Sequence, residues 1–439
     1  MKFKKIILAC IFLSLFLALV YPVIFAQSTI DEWSTFHHDS AHSGYSTSAA
    51  PNTNQIHWKY DTGSPIVTSS PAVFEGKVYI GSKNGNIYCL EASDGTFNWK
   101  YQTGLGIYSS PAVFNGKVYV GSMDGYLYCL DASNGDFIWS HSNADIENGV
   151  TYRTSFIYSS PTVVDGKVYV GNMNSYVYCL DATNGDMIWE YETDGGVLSS
   201  PAVVDGKVYV GSGDTIYCLN ASNGHWIWAD ETGGSITSSP AVVDGKVYVC
   251  SYDGAIYFLD ASNGDFIWAG GVGTNVTSSP AVVNGKVYVG SDNGRVYCLD
   301  AINGNSTAIW IYQTGNTIGE SSPAVVNDKV YIGSYDKNVY CLDASNGNLV
   351  WTYETDNYVA SSPAVVDGKV YIGSQDGNIY SLGGFSSSTP LSLPLEYIIV
   401  LLALVIPIVG IAIFAISRRK KSSQKQQITP ETDSKLENE

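Results

Sequence analysis

The sequence predicts an all-β fold: an eight-bladed β-propeller closed by an N-terminal strand, followed by one C-terminal transmembrane helix. Three observations predict it. The stretch "SSPAVVDGKVYVGS" at 199–212 recurs with small changes along the chain. Its proline stands at Pro71, Pro111, Pro161, Pro201, Pro240, Pro280, Pro323 and Pro363, so there are eight copies, with six of the seven spacings between 39 and 43 residues. Each tryptophan from Trp99 onward sits 27–30 residues after a marker proline: Trp99, Trp139, Trp189, Trp228, Trp268, Trp310 and Trp351. A fixed period of about 40 residues is the mark of a repeat architecture.

Each unit reads as four strands. "SSPAVV" is the first, and a "DGK" or "NGK" turn leads to "VYVGS", the second. A turn such as "MDG" or "DNG" leads to "VYCLDA", the third, and "SNG" leads to "DFIW" with its flanks, the fourth. Gly after Asn or Asp supplies the positive φ of tight hairpin turns. Val- and Tyr-rich strands at this turn spacing predict antiparallel sheet. In "VYCLDA" (177–182), Tyr178 and Leu180 face one side while Val177 and Cys179 face the other. Both faces are apolar, so both must be covered. A four-stranded sheet stacked between two copies of itself meets that demand, which is the propeller solution.

The counts also predict how the ring closes. Trp58, in "QIHWKYDTG", precedes every "SSP". The last copy, at Ser361, is followed by three strands and then "GGFSSSTP", with no Trp strand. Residues 54–62 are therefore expected to supply the outer strand of the blade that begins at Ser361.

Both ends of the chain are apolar. "MKFKK" followed by "IILACIFLSLFLALV" has the charged start and apolar run of a signal peptide, assigned to residues 1–26. Cleavage after Ala26 fits "VIFAQS", although Ile24 departs from the small-residue rule, and an uncleaved anchor is the alternative. Residues 397–417, "YIIVLLALVIPIVGIAIFAIS", are long enough to span a bilayer as a helix. "RRKK" at 418–421 follows and is expected to stay cytoplasmic. The expected organisation is a strap at 27–53, the propeller at 54–384, a spacer at 385–396, the membrane helix, and a polar tail at 418–439. The expected location is the plasma membrane, as a single-pass type I protein with the propeller outside the cell. Sequons at Asn220, Asn275 and Asn305 permit glycosylation there.

Net charge is −18, which repels a phosphate backbone and excludes nucleic acid as a partner. The same charge favours solubility and attracts cations or basic partners.

The segment "LDASNGDFIW" at 130–139 recurs as "LDATNGDMIW" (180–189), "LDASNGDFIW" (259–268 in full match) and "LDASNGNLVW" (342–351). The pattern of Ala, Gly three on and Trp four beyond resembles the tryptophan-docking repeat of pyrroloquinoline-quinone (PQQ)-like propellers. The resemblance covers about residues 54–384 and implies eight blades, with each Trp packed between neighbours. "EWSTFHHDSAHSGYS" (32–46) resembles the strap that often precedes such repeats. The family includes PQQ-dependent dehydrogenases, which use calcium and often a pair of adjacent cysteines, and non-enzymatic protein-binding platforms. This chain has no adjacent Cys pair, its blade connections are nearly all short, and most of its acidic residues sit in hairpin turns, where an Asp serves the turn itself. The expectation is therefore no cofactor, with PQQ and calcium belonging only to the alternative reading as a quinoprotein dehydrogenase.

Six cysteines share one repeat position: Cys89, Cys129, Cys179, Cys218, Cys298 and Cys341. Equivalent positions in neighbouring blades stand on the order of 10 Å apart, too far for a disulfide. They are expected to be small buried hydrophobes between blades. Cys250 is the odd one, and a pairing with Cys218 is the alternative. His37, His38 and His42, with Asp39, form the one cluster of metal-ligand types. The competing reading is a strap that caps the propeller, with Trp33 and Phe36 tucked against it.

Blade-to-blade loops and second-to-third-strand loops share one face of a propeller. The positions just before each "SS" are expected near the axis on that face: Thr68, Tyr108, Tyr158, Leu198, Thr237, Thr277, Glu320 and Ala360. Tyr108, Tyr158 and Glu320 break the sameness. The one long insertion (141–158) is expected to overhang the same face and carries Tyr152 and Arg153, residue types favoured at interface hot spots. These five residues are the candidate partner-binding set. The function expected is non-catalytic binding or scaffolding of an extracellular protein or a cell-envelope or glycan component, held to the membrane by the C-terminal helix.

Overall fold

The computed structural model describes residues 31–142, 145–147, 150–152, 156–301 and 307–384. The expected signal peptide (1–26), the start of the strap, the spacer (385–396), the membrane segment (397–417), the tail (418–439) and the Asn305 sequon lie outside them. No helix among the described residues is long and apolar enough to cross a membrane.

Eight antiparallel sheets of four repeat-borne strands are arranged in sequence order around an axis. Blades 1–8 begin with the strands Ala72–Phe74, Ala112–Phe114, Thr162–Val164, Ala202–Val204, Ala241–Val243, Ala281–Val283, Ala324–Val326 and Ala364–Val366. These first strands contact one another from blade to blade and line the axis. Blade 4 is typical. Ala202–Val204, Lys207–Ser212, Thr215–Asn220 and Trp226–Glu231 follow one another from the axis to the rim.

The predicted closure is present. Ile56–Asp61 pairs antiparallel with Asn378–Gly383 as the outer strand of blade 8, with Tyr60 opposite Ile379 and Lys59 opposite Tyr380. The predicted alternation also holds. Val177 and Cys179 pack with Val208, Val210 and Leu219 of blade 4. Tyr178 and Leu180 pack with Tyr119 and Leu127 of blade 2. The core is thus divided into layers between blades, and each fully buried Val, Leu or Ile in a layer contributes about 1.5–3 kcal/mol.

In six of the eight blades two donors converge on one carbonyl of the next. Tyr79 Oη and Trp99 Nε1 of blade 1 both donate to Ala132 O of blade 2, each at 3.1 Å. The motif recurs from blade 8 to blade 1, where Tyr371 Oη and Trp58 Nε1 meet Ala92 O. It changes where the sequence changes. Phe258 replaces the usual Cys in blade 5 and stacks on Trp268 at 3.8 Å. In blade 8 the residues after Leu382 are Gly383 and Gly384, without the Ala-containing turn, and Trp351 Nε1 is buried with no partner among the described residues.

In seven of the eight blades a bulge in the fourth strand turns the tryptophan inward. In blade 3, Cys179 faces Trp189 and Leu180 faces Met187, so Ile188 is the extra residue. The bulge leaves two consecutive apolar side chains, such as Met187 and Ile188, exposed at the rim.

All seven described cysteines are free and buried. The alternative Cys218–Cys250 bridge is not formed. Cys218 lies in the layer between blades 4 and 5, Cys250 in the layer between blades 5 and 6, and the sheet of blade 5 stands between them. Burial pushes the thiols up, Cys89 to about 11 and Cys129 to about 12 from an ordinary 9.0. We expect none of the seven to react with a thiol reagent at neutral pH until the protein unfolds, when all should react together. Because the folded values are the raised ones, stability should fall as pH climbs from about 9 to about 12. Rapid labelling of one or more thiols in the native protein would contradict this.

Candidate binding funnel

The serine pairs build the site. The first serine of each pair receives the N–H of a second-strand residue in its own blade, as Ser69 Oγ does from Gly81 and Ser238 Oγ from Cys250. The second serine joins blades. The backbone N–H of Ser70 donates to Ser110 Oγ, Ser110 to Ser160, Ser160 to Ser200, and Ser200 to Ser239. The chain of bonds continues through Ser279, Ser322 and Ser362 and returns to Ser70, every link at 2.9 Å. Eight serine hydroxyls therefore form an unbroken circle about the axis. A ring of small polar groups follows from the repeated serines, but the bonds that close it join residues 39 to 50 positions apart, with one of 292, and have no local pattern.

The circle surrounds a cavity of about 280 Å³ that opens on one face. Seven of the eight positions expected near the axis line it: Thr68, Tyr108, Tyr158, Leu198, Thr237, Thr277 and Glu320. Ala360 is buried behind the wall. Phe36 of the strap also lines the cavity and stands at its inner end.

The strap earns that position through backbone pairing to the first strands. The N–H groups of Val73, Val113, Val203, Val242, Val282 and Val325 donate to the carbonyls of Trp33, Ser34, Ser40, Ala41, Ser43 and Gly44. In blade 3, Thr162 takes the place of the usual Ala, and its hydroxyl meets His42 Nε2 at 3.3 Å. In blade 8 the N–H groups of Asp367 and Gly368 reach Ser48 Oγ and Ala49 O. Every blade is thus touched by one short segment.

The three histidines of the strap are directed to different partners. His37 Nδ1 pairs with His42 O at 3.2 Å, and His38 Nε2 with Asp31 Oδ1 at 3.0 Å. Burial pushes His37 down to about 4 and His42 to about 3, so both rings are neutral. Burial opposes the charged form of His38 as well, but Asp39 and Asp31 outweigh it and raise its pKa. Among the described residues, no group of three or more His, Cys, Asp or Glu side chains is placed to hold a metal ion.

Tyr108 and Tyr158 meet edge to face at 5.4 Å on one side of the mouth. On the other side Tyr335 Oη donates to Glu320 Oε2 at 2.5 Å, and the Tyr335 ring stacks on Tyr358 at 5.1 Å. Tyr252 lines the cavity beside them. Asp292 accepts long bonds, 3.4 Å each, from the hydroxyls of Thr277 and Thr317. Burial raises the Asp292 carboxyl, and the charge of Glu320 adds to that. Sequence reading found Tyr108, Tyr158 and Glu320 and missed Tyr252, Asp292, Tyr335 and Tyr358. The first three of those occupy one repeat position, directly after the second strand's "GS" or "CS", so comparing that position across the eight units would have found them. Tyr152 ends the strand Val150–Tyr152, which pairs with Asp145–Glu147 in a hairpin inserted before blade 3. Arg153 lies outside the described residues.

A family model described as outer membrane protein assembly factor BamB matches residues 44–195, 153–306 and 305–384. The chain belongs to that family. Solved structures place this BamB-family propeller among PQQ-like folds. It is similar to BamB from Moraxella catarrhalis, with 18% identity and a TM-score of 0.65, covering 75% of this chain and 100% of that one. It is also similar to the quinohemoprotein alcohol dehydrogenase ADHIIG from Pseudomonas putida HK5 (18% identity, TM-score 0.68, 82% of each chain). A europium-containing methanol dehydrogenase aligns at 15% identity and a TM-score of 0.70, over 81% of this chain and 98% of that one. At these identities the likeness concerns the fold. No curated protein matches the sequence.

Proposed function

We propose that this BamB-family propeller is a non-catalytic binding module, held at the cell surface by its C-terminal apolar segment, that receives a protein or cell-envelope ligand at the funnel face. The observation that carries the reading is the donor set of the funnel. Its walls offer hydroxyls, aromatic rings and one leucine, with Glu320 the only charged lining group among the described residues. The 145–152 hairpin leaves the fourth strand of blade 2 and returns to the first strand of blade 3, so chain order supports placing it on the same face. The description of the family as an outer membrane protein assembly factor supports a role with protein partners in the envelope.

The alternative is a PQQ-dependent dehydrogenase. PQQ is a tricarboxylate. The serine hydroxyls could donate to it, but among the described residues no Lys or Arg lines the funnel, and Glu320 with Asp292 beside it would repel an anion. Calcium takes six to eight oxygen ligands, and a single lining carboxylate is a poor start for them. The residues present do not fit the group. Reconstitution with PQQ and calcium should therefore yield no dye-linked dehydrogenase activity and no quinone absorbance.

Binding at the funnel is tested by photo-crosslinking from the full-length chain in its own membrane. A crosslinker at position 158 should capture a discrete partner, and one at position 226, exposed on the rim of blade 4, should not. Changing Tyr152 and Arg153 to Ala should reduce capture severalfold, as hot-spot truncation does, with an unchanged melting midpoint. Equal capture from both positions would remove the funnel face as the recognition surface.

A further inference from the structure

The chemistry of the funnel is lopsided in a way that selects one class of ligand. Glu320 is held at the mouth by the bond from Tyr335 Oη to its Oε2, while its Oε1 accepts no hydrogen bond from any described residue. Asp292, one blade away, is satisfied only by two hydroxyls at the outer limit of hydrogen-bond distance. Glu320 and Asp292 are close enough for each to act on the Tyr335 hydroxyl, and Tyr252 acts on it too. Glu320 and Tyr252 therefore line one side of the funnel, with Tyr335 bonded to Glu320 and Asp292 near enough to act on both from behind that wall. The opposite side carries the Tyr108–Tyr158 pair. The inner end is neutral, made of serine hydroxyls and Phe36.

Resting on the binding reading above, we propose that the funnel holds a basic side chain of the partner, a lysine ammonium or an arginine guanidinium, seated between the tyrosines and Glu320. Aromatic faces attract an organic cation through the ring quadrupole, and the attraction grows as the cation loses water. The serine hydroxyls can accept the remaining N–H donors. A cation also relieves the repulsion between Glu320 and Asp292. A hard metal ion is a poorer match, since two carboxylates leave most of its oxygen sites empty. The cation is best carried by a protein, because the chain's net charge of −18 steers a basic partner toward it.

The test is titration calorimetry on the full-length chain with four probes: Gly-Arg-Gly, Gly-Lys-Gly, the neutral Gly-norleucine-Gly, and butylammonium. The basic tripeptides should bind, more weakly as sodium chloride is raised, and the norleucine peptide should not. Glu320→Gln should weaken the basic tripeptides about fivefold to tenfold, in line with a desolvated cation–aromatic and charge contact. Asp292→Asn, outside the lining of the cavity, should weaken them less. Both variants should keep the native melting midpoint. Equal binding of the norleucine peptide, or unchanged affinity in both variants, would overturn the cation site. Butylammonium binding as tightly as the tripeptides would overturn the protein source in favour of a free amine. Displacement of the tripeptides by stoichiometric calcium would overturn the organic cation. Partner capture from position 158 that persists despite a negative titration would leave the binding module standing without this ligand.

Discussion

Deletion of residues 54–62 is expected to unfold the propeller as a whole, and not merely to fray blade 8. Ile56–Asp61 supplies the outer strand of that blade, so its loss strips the pairing partner from Asn378–Gly383. It also removes Trp58, which is 7% exposed and spans the junction between the last blade and the first. Its Nε1 donates to Ala92 O, and its ring lies where a Cβ on Gly95 would come within 2.7 Å. Losing a buried tryptophan alone costs about 3–5 kcal/mol, and the strand pairing adds to it. A domain's net stability is only about 5–15 kcal/mol. The measurement is thermal unfolding followed by near-ultraviolet circular dichroism. The variant should lose its cooperative transition or show it more than roughly 10 °C lower. An unchanged midpoint would mean that the ring does not depend on its clasp.

Gly135→Ala should be the most damaging single-methyl change in the repeat turns, and Gly116→Ala is its control. Both glycines hold positive φ, 78° and 69°. At Gly116 an added Cβ meets nothing within 4 Å, so the cost is the left-handed backbone alone, about 1–2 kcal/mol. At Gly135 the Cβ would stand 2.5 Å from the Trp99 ring. The indole must then leave its place and lose its bond to Ala132 O. The expected loss is about 3–5 kcal/mol, by analogy with removing a buried tryptophan. Chemical denaturation of both variants separates the terms. Equal midpoints would show that Trp99 tolerates displacement and that docking contributes little.

Most of the architecture was legible because the repeat carries its own constraints. Two-sided apolar strands such as "VYCLDA" require neighbours on both faces, and the unmatched Trp58 and the truncated last unit require each other. The prediction of funnel residues from the position before each "SS" succeeded for seven of eight for the same reason: symmetry converts one placement into eight. What stayed hidden depended on contacts between distant positions. The serine circle joins residues with no local relation. The strap's role at the inner end rests on backbone carbonyls, which any residue supplies, so its side chains gave little sign of it. The histidines drew attention by their type, yet their rings serve the turn and Thr162. His37, His38 and His42 all adopt positive φ, a backbone feature that the sequence does not display.

The strap has a consequence for the order in which the molecule can be assembled. It precedes every blade in the chain, yet the residues that receive it run from Val73 to Gly368. Thr53 Oγ1 reaches Gly384 O across 331 positions of sequence. As the chain emerges, its beginning has nothing to grip and must wait until the final blade exists. Contacts of such range are slow to form, since the intervening chain must first be brought to order. The seal at the base of the funnel is therefore set at the close of folding, by a segment synthesised ahead of every blade it joins.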